Sequence, residues 1–284
     1  MSQTRAIHEG IGQPVRRKED LRFLTGQGRY MADHWLAHVA HAVMLRSPHA
    51  HARICRIDCT AARAAQGVIA VLTGEDFIAD GGKPIPHEAS LQGGSDVKVR
   101  LQAGTHVFNA PHAALPTGEV RFIGEAVVMV VAESADAAQD AAELIAIDYE
   151  VLPAVALAVD ALEPGAAQVW NDCNENLCVD GEVGDQQAVE AAFAKAAHMV
   201  RLSTWVQRVT GTPMEPRAAI GEYDAASGRY TLWAGTGGGM VRQRQTLAGT
   251  LDVEIESCRA LCGDMGGSFG TRNGFSTEYA LLPW

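Results

Sequence analysis

A glycine-rich loop near the end of the printed sequence carries the strongest chemical signal. It runs from Gly263 to Gly270, holds four glycines in eight residues, and follows a strand-like stretch that ends at Leu261. Glycine costs roughly 0.5–1 kcal/mol relative to alanine in regular structure, so four together predict a backbone that turns sharply or lies against another group. Two interpretations follow: a backbone that contacts a bound cofactor, or a tight connection within a packed domain.

A second glycine-rich loop has the same context. It spans residues 234–239 and leads into a helical pattern from Met240 to Ala248, which Gly249 is predicted to end. The first loop likewise leads into a predicted helix at 275–282. A loop that enters a helix N-terminus presents backbone N–H groups and the positive end of the helix dipole, worth roughly 0.3–1 kcal/mol toward an anion.

The common nucleotide motifs do not fit these loops. The dinucleotide fingerprint G-x-G-x-x-G fails at Met240, and Gly270 is followed by Thr271-Arg272 where a phosphate loop needs Lys and Ser or Thr. The letters of a nucleophile elbow, G-x-S-x-G, occur at 266–270, but nothing marks a partner His and Asp. A serine hydrolase therefore remains a distant alternative.

Composition excludes some partners. The 284 residues are 47% hydrophobic with a formal net charge of −11, and no Lys/Arg-rich block is present, so no nucleic-acid partner is expected. Residues 1–20 lack an export signal, and the longest central apolar run, Ala126–Ala132, is far shorter than the roughly 20 residues that span a bilayer. We expect a soluble cytoplasmic protein without membrane association.

The sequence indicates no metal-binding residues. Its six cysteines form three close pairs, none with the spacing of zinc or iron–sulfur sites, so reduced thiols are expected. His49 and His51 share one face of a predicted strand but lack a third ligand. The cysteine pairs are Cys55/Cys59, Cys173/Cys178 and Cys258/Cys262.

The predicted elements indicate an α+β chain of two domains. The first half contains predicted strands at 36–45, 52–57, 68–72, 126–132 and 145–150, and helices at 60–66 and 134–143. The second half contains a helix at 185–197, strands at 198–209 and 253–261, and a hairpin of 219–223 with 229–233. Prolines at 153 and 164 bracket a segment whose sequence differs from what precedes it, so a domain boundary is predicted there. The predicted division is an extension at 1–19, a domain at 20–153, a linker at 154–165 and a domain at 166–284.

Several segments in order resemble one enzyme family. Residues 19–30, 46–54 and 118–127 look like the α/β hammerhead domain of molybdenum hydroxylase large subunits, the family of xanthine dehydrogenase, aldehyde oxidase and aerobic carbon monoxide dehydrogenase. Met214-Glu215-Pro216-Arg217, residues 228–233 and the loop 263–270 resemble its molybdopterin-binding domain. The resemblance covers nearly the whole chain from about residue 12.

The resemblance implies a molybdenum-pterin cofactor, usually a cytosine dinucleotide in bacteria. The family hydroxylates a carbon with oxygen from water and passes electrons to iron–sulfur and FAD subunits of a hetero-oligomer. Oxidation of an aldehyde or N-heterocycle is preferred; carbon monoxide oxidation and a noncatalytic hammerhead-fold interaction module are the alternatives. The implied cofactor contacts, with Phe269 also facing the substrate pocket, are Gly237, Gly238, Gly266, Gly267, Ser268, Phe269 and Gly270.

Two residues depart from the family pattern. Thr236-Gly237 stands where Thr-Gln is common, and Ser268 stands where glycine is usual, which predicts a divergent subgroup with an altered substrate or weakened activity. Pro216 favours an extended Glu215, placing Glu215 and Arg217 on one side of a strand. These two side chains are expected either to pair with each other or to support the cofactor-binding residues from behind.

The end of the sequence predicts a fragment. Trp284 closes an apolar helical stretch that has no stop signal. The family's large subunits are longer, and their general base, a glutamate near the far carboxyl end, is expected past Trp284. No catalytic residue is therefore assigned within this chain, and the 284-residue piece is expected to be inactive alone because half of a pterin cleft does not exclude water.

Overall fold

The protein has an α+β fold built from several three-stranded sheets. The structure, a computed structural model, describes residues 11–12, 15–34, 36–87, 100–101 and 107–284. The helices are α1 (Asp20–Leu24), α2 (Thr60–Arg63), α3 (Gly74–Ala79), α4 (Ala135–Glu143), α5 (Ala158–Ala161), α6 (Gln186–Lys195), α7 (Met240–Leu251) and α8 (Thr277–Leu281). The strands are β1 (His41–Arg46), β2 (Ala52–Asp58), β3 (Val68–Thr73), β4 (Arg100–Leu101), β5 (Glu119–Val120), β6 (Ala126–Ala132), β7 (Ala146–Val151), β8 (Gly181–Glu182), β9 (Ala219–Asp224), β10 (Arg229–Ala234) and β11 (Cys258–Leu261).

Strand β6 is the centre of the first half of the chain. It pairs antiparallel with β1 on one side and β3 on the other. Nearly all of its residues are buried, which explains why its sequence is a continuous apolar run without polar alternation. Helix α4 packs on this sheet through small alanine side chains, and the Ser134 hydroxyl caps it by accepting a hydrogen bond from the Ala137 N–H. The predicted strand at 126–132 and helix at 134–143 are confirmed.

A second antiparallel sheet completes this half. Strand β2 lies between β5 and β7, so the predicted strands at 52–57 and 145–150 are neighbours. The predicted helix at 60–66 ends earlier, at Arg63.

No helix within the described residues combines the length and apolar character needed to cross a membrane.

The third sheet positions the two glycine-rich loops. Strands β9 and β10 form the predicted antiparallel hairpin, while β10 and β11 run parallel and are connected through α7. Parallel neighbours end at the same edge of a sheet. The loop after β10 and the loop after β11 therefore leave the sheet side by side.

One hydrophobic core joins the two halves of the chain. Phe77, Leu115 and Met129 from the first half belong to the same buried cluster as Leu232 and Tyr279 from the second. Apolar burial contributes about 25 cal/mol per Å², so this shared core fixes the first half of the chain against the sheet that carries the loops.

Several element predictions were wrong in detail. Gly249 does not end α7, which continues to Leu251 and stops where Asp252 adopts a left-handed backbone with φ of 54°. The strand predicted at 253–261 is confined to Cys258–Leu261 because a short 3-10 turn at Ile255–Ser257 precedes it. Residues 198–209, predicted as a strand, have no strand partner in the described chain.

The edge strand β9 yields a stability prediction. A Cβ atom at Gly221 would lie 2.2 Å from the Leu282 carbonyl carbon and 2.3 Å from the Pro283 nitrogen. Because these are backbone atoms, Gly221→Ala should destabilise the protein by about 1–3 kcal/mol. The matched control is Gly118→Ala, since nothing lies within 4 Å of that Cβ position. Thermal unfolding should show a lower melting temperature for the first variant only, and equal melting of both variants would contradict this packing.

Candidate cofactor site

The two glycine-rich loops lie against each other and are joined by hydrogen bonds. This place, called the loop crossing here, comprises residues 236–238 and 268–273. The Thr236 hydroxyl donates to the Arg272 carbonyl, and the Gly237 N–H donates to the same oxygen at 3.2 Å. The Gly238 N–H in turn donates to the Thr236 hydroxyl at 3.2 Å. The backbone at 236–238 is thereby held directly against the segment that follows the second loop.

Glycine is required at this crossing by the lack of space. A Cβ atom at Gly237 would lie 2.4 Å from the Asn273 side-chain oxygen and 2.7 Å from the Ser268 hydroxyl. At Gly238 it would lie 2.1 Å from the Asn273 backbone oxygen. Packing alone therefore requires glycine at 237 and 238, whatever else the loops bind.

The Glu215 carboxylate holds the second loop in place. One of its oxygens accepts from the Met31 N–H at 3.0 Å, and the other accepts from the Gly266 N–H and from Arg272 Nη1, both at 2.8 Å. The second terminal nitrogen of Arg272 donates to the Glu215 backbone carbonyl. The side chains of Arg272 and Glu215 are only 3% and 10% exposed, so this ion pair is shielded from water.

The carboxylate is held in its charged form. Burial by itself would raise the pKa of Glu215, but the N–H groups of Gly266 and Met31 and the guanidinium of Arg272 favour the charge. Together they bring the pKa below its ordinary value. Glu215 is thus a fixed negative charge at neutral pH, and the three segments that donate to it depend on that charge.

Arg217 does not pair with Glu215. Its guanidinium donates to the Thr271 carbonyl at 2.8 Å, while Arg272 takes the carboxylate. Residues 214–218 also lie outside any strand, since β9 begins at Ala219. The alternative in which Glu215 and Arg217 pair is therefore wrong, and both instead contact the glycine loop or the residues directly after it.

Phe269 is not a core residue. Its side chain is 79% exposed, and its backbone has a positive φ of 49°, which is uncommon for a bulky residue. Such strain persists only where surrounding contacts impose it, and it concentrates at binding sites. The ring lies at the surface of the crossing, while its proposed role toward a substrate stays a prediction.

Ser268 does not form a nucleophile arrangement. Its hydroxyl donates to the Asn273 side-chain oxygen at 3.2 Å. No hydrogen bond among the described residues joins it to a histidine. A serine needs an adjacent base to become nucleophilic, so this geometry gives the hydrolase alternative no support.

Gln243 was missed by the sequence analysis. It is 1% exposed beneath the crossing, and its amide nitrogen donates to the Thr236 hydroxyl at 3.0 Å. Its side-chain oxygen has no hydrogen-bond partner among the described residues. A buried acceptor without a partner is costly, and it indicates a donor that belongs at this place. The available signal was a polar residue on the buried face of α7, which Leu247 and Leu251 also occupy.

The start of α7 offers free donors next to the crossing. No side chain caps this twelve-residue helix, and no hydrogen bond in the described chain occupies the N–H groups of Met240, Val241 and Arg242. Nothing lies within 4 Å of the Cβ position of Gly239, so the space beside the residue that precedes them is open. Uncapped first-turn amides are ready-made donors for an anionic oxygen. Together with the Gln243 oxygen, they fit a polar, anionic cofactor.

Comparison with known families decides what these domains are. Residues 25–153 match the model of the aldehyde oxidase and xanthine dehydrogenase a/b hammerhead domain, and residues 169–284 match that of the molybdopterin cofactor-binding domain. The chain belongs to this molybdenum hydroxylase family. Both glycine loops, Glu215 and Gln243 fall within the molybdopterin-binding match, so the crossing lies in the domain whose cofactor is a molybdenum-pterin.

Relatives of the chain include a gamma subunit and a large chain of two dehydrogenases. The chain is 32% identical to the gamma subunit of the 6-hydroxypseudooxynicotine dehydrogenase complex of Paenarthrobacter nicotinovorans, over 96% of this chain and 33% of that protein. It is 30% identical to the carbon monoxide dehydrogenase large chain of Afipia carboxidovorans, over 95% and 32%. The crystal structure of quinoline 2-oxidoreductase from Pseudomonas putida 86 shows 34% identity and a TM-score of 0.78, over 95% and 32%.

These matches confirm the resemblance and the α+β class predicted from the sequence. The chain spans about a third of the length of the relatives it matches. The structure brings the predicted loop residues together at one crossing. Their contact with the cofactor stays a prediction, as do the domain boundaries at 19/20, 153/154 and 165/166.

The Glu215 charge predicts a pH-dependent stability. Because the folded-state pKa lies below the ordinary value of 4.5, the stabilisation is complete above that pH and is lost as the pH falls through the folded-state pKa. Glu215→Gln should therefore destabilise the protein by about 1–3 kcal/mol at pH 7. The difference from wild type should narrow below pH 4.5.

Urea unfolding at a series of pH values measures this difference. The control is Glu256→Gln, an exposed carboxylate that should change stability by less than about 0.5 kcal/mol throughout. A difference between wild type and Glu215→Gln that stays constant down to pH 3 would show that the charge of Glu215 does not hold the loop.

Proposed function

We propose that the chain is the amino-terminal third of the large subunit of a molybdenum hydroxylase that oxidises an N-heterocycle or an aldehyde. The observation that supports this proposal is the loop crossing itself, where the first N–H groups of α7 are free and the buried Gln243 oxygen lacks a partner among the described residues, within the molybdopterin-binding match. When bound, the molybdenum-pterin group supplies the two-electron chemistry by which the family hydroxylates a carbon with oxygen from water.

The residues of this chain bind and orient that group. The free N–H groups of Met240, Val241 and Arg242 would donate to its anionic oxygens, and the buried Gln243 amide would support them from beneath. Gly237 and Gly238 carry no side chain, so the first loop lies close against the second. The second loop is proposed to form the facing wall of the cofactor site, through Gly266, Gly267, Ser268, Phe269 and Gly270. Glu215 and Arg272 hold that wall without touching the cofactor.

The cofactor form is proposed to be the cytosine dinucleotide. Its diphosphate carries more negative charge than the pterin phosphate alone, and the start of α7 offers the exposed Arg242 beside the free amides. A cation and a helix N-terminus together favour such a group. The general base is proposed to lie in the part of the subunit that this chain does not include.

Nitrogen heterocycles are preferred as substrates because relatives named for a nicotine derivative and for quinoline show 32% and 34% identity. The 30% identity to a carbon monoxide dehydrogenase keeps that reaction as the second candidate.

Phe269, exposed at the crossing, is proposed to contact a flat aromatic substrate by stacking. Gly237 gives the first loop no side chain, and Ser268 adds a hydroxyl to the facing wall; both depart from the family pattern and are proposed to alter the pocket.

Partners are proposed from the complex in which the first of these relatives is the gamma subunit. An iron–sulfur subunit and an FAD subunit accept the electrons, and the assembly is a cytoplasmic hetero-oligomer that binds a small-molecule substrate.

A noncatalytic interaction module is the contrasting function, and it requires no cofactor.

Metal and pterin analysis separates these functions. The protein encoded by the complete reading frame, copurified with its neighbouring subunits, is expected to contain about one molybdenum and one pterin per large subunit and to oxidise quinoline, nicotine or an aryl aldehyde. Absence of both molybdenum and pterin would establish the noncatalytic module. Oxidation of carbon monoxide alone would select the second candidate.

The crossing predicts which glycine the cofactor requires. Gly238→Ala should displace the first loop, because its Cβ would lie 2.1 Å from the Asn273 carbonyl oxygen, and should reduce pterin content at least tenfold. Gly274→Ala is the matched control, with nothing within 4 Å of the added atom, and should retain full content. Pterin fluorescence after extraction measures both. Equal content in the two variants would place the cofactor elsewhere.

A further inference from the structure

A segment of the second domain is exposed along its entire length. The segment comprises residues 185–210, called the arm here; it contains α6 and the chain that follows, and every one of its residues is exposed. Single exposed apolar side chains are ordinary, but a contiguous set of this size marks an interaction surface. The large apolar side chains of the arm are Val189, Phe193, Met199, Val200, Leu202, Trp205, Val206 and Val209.

The second part of the arm has the sequence of a strand but no sheet. Residues 198–210 contain no helix, turn or paired strand, and no backbone hydrogen bond links them to other described residues. Val200, Leu202 and Val206 fall on one face of an extended chain, with period two. Unpaired N–H and C=O groups beside such a pattern pair readily with a sheet edge.

The arm differs in charge from the rest of the protein. Asp185 and Glu190 lie at its start, but residues 191–214 contain no acidic residue and carry Lys195, Arg201 and Arg208. The whole chain has a formal charge of −11. A surface that complements the arm therefore combines an open sheet edge with acidic side chains.

The arm leads directly to the loop crossing. At its carboxyl end, a Cβ atom on Gly211 would lie 2.7 Å from the Phe269 Cβ, so the two backbones are in contact. Phe269 is itself 79% exposed. A polypeptide paired with the arm consequently lies next to the open face of the candidate cofactor site.

We propose that residues 198–210 form a β-strand by pairing with an acidic, open sheet edge in the remainder of the large-subunit polypeptide. The arm lies inside the matched molybdopterin-binding domain, and the relatives that share this domain are about three times as long as the chain. An intramolecular partner is present at high effective concentration, which favours it over a second copy or a separate subunit. The pairing excludes water from the arm and brings further chain over Phe269.

Hydrogen exchange compares the arm in two forms of the protein. In the 284-residue chain, the amides of 199–209 should exchange at nearly the rate of an unstructured peptide. In the protein encoded by the complete reading frame, the same amides should exchange at least about a hundredfold more slowly, as ladder amides do. Exchange that is equally fast in both forms would overturn the proposal, as would a reading frame that ends at Trp284.

Protection that appears in the 284-residue chain and grows with concentration would assign the arm to a second copy instead. Protection that requires a separately encoded subunit would assign it to that subunit. Both results contradict an intramolecular partner.

Substitutions distinguish pairing from a general loss of order. The double variant Val200→Asp/Val206→Asp should leave the melting temperature of the 284-residue chain unchanged, because these residues are 96% and 91% exposed there. In the complete protein the same variant should lower the melting temperature by several degrees and restore fast exchange at 199–209. The control Gln187→Asp, on the exposed first turn of α6, should do neither. An unchanged complete protein would contradict the pairing.

Discussion

The ion pair between Glu215 and Arg272 is the constraint on which the candidate site depends. Three separate segments donate to one carboxylate: the residues before β1 through Met31, the second glycine loop through Gly266, and the turn after it through Arg272. Loops rich in glycine have high conformational entropy, and fixing each backbone residue costs about 1–2 kcal/mol. A shielded charge with three donors offsets part of that cost and gives the loop one conformation. The hydrogen bond from the Met31 N–H to the same carboxylate also joins the hammerhead half to the molybdopterin-binding half.

The topology of the third sheet turns this fixed loop into a site. Because β10 and β11 are parallel, both loops leave one edge of the sheet, where ligands of open α/β sheets bind. Thr236 and Gln243 connect the first loop to the carbonyl groups of Arg272 and Asn273. The crossing therefore stays rigid while the first amides of α7 remain free. Rigid backbone and free donors together are what a polar cofactor requires in a site that excludes water.

The sequence predicted those elements whose pattern is local. The apolar run of β6, the Ser134 cap of α4 and the β9–β10 hairpin follow from neighbouring residues alone. Pairs that join distant segments could not be predicted in this way: Pro216 suggested Arg217 as the partner of Glu215, whereas the tertiary fold brings Arg272 there. The strand predicted from period-two alternation at 198–209 is absent from the structure, because alternation carries no information on whether a partner strand exists. In the sequence, Gln243 is only a polar residue on the buried face of a predicted helix. Its role depends on the position of the two loops, which the sequence alone does not give.

The central claim is that the loop crossing binds the molybdenum-pterin group. An experimental structure of the complete, cofactor-loaded subunit tests this claim most directly, through the distances from the cofactor oxygens to the N–H groups of Met240, Val241 and Arg242. At least two of these distances should lie near 2.7–3.2 Å. A cofactor bound with none of its atoms in contact with either glycine loop would contradict it.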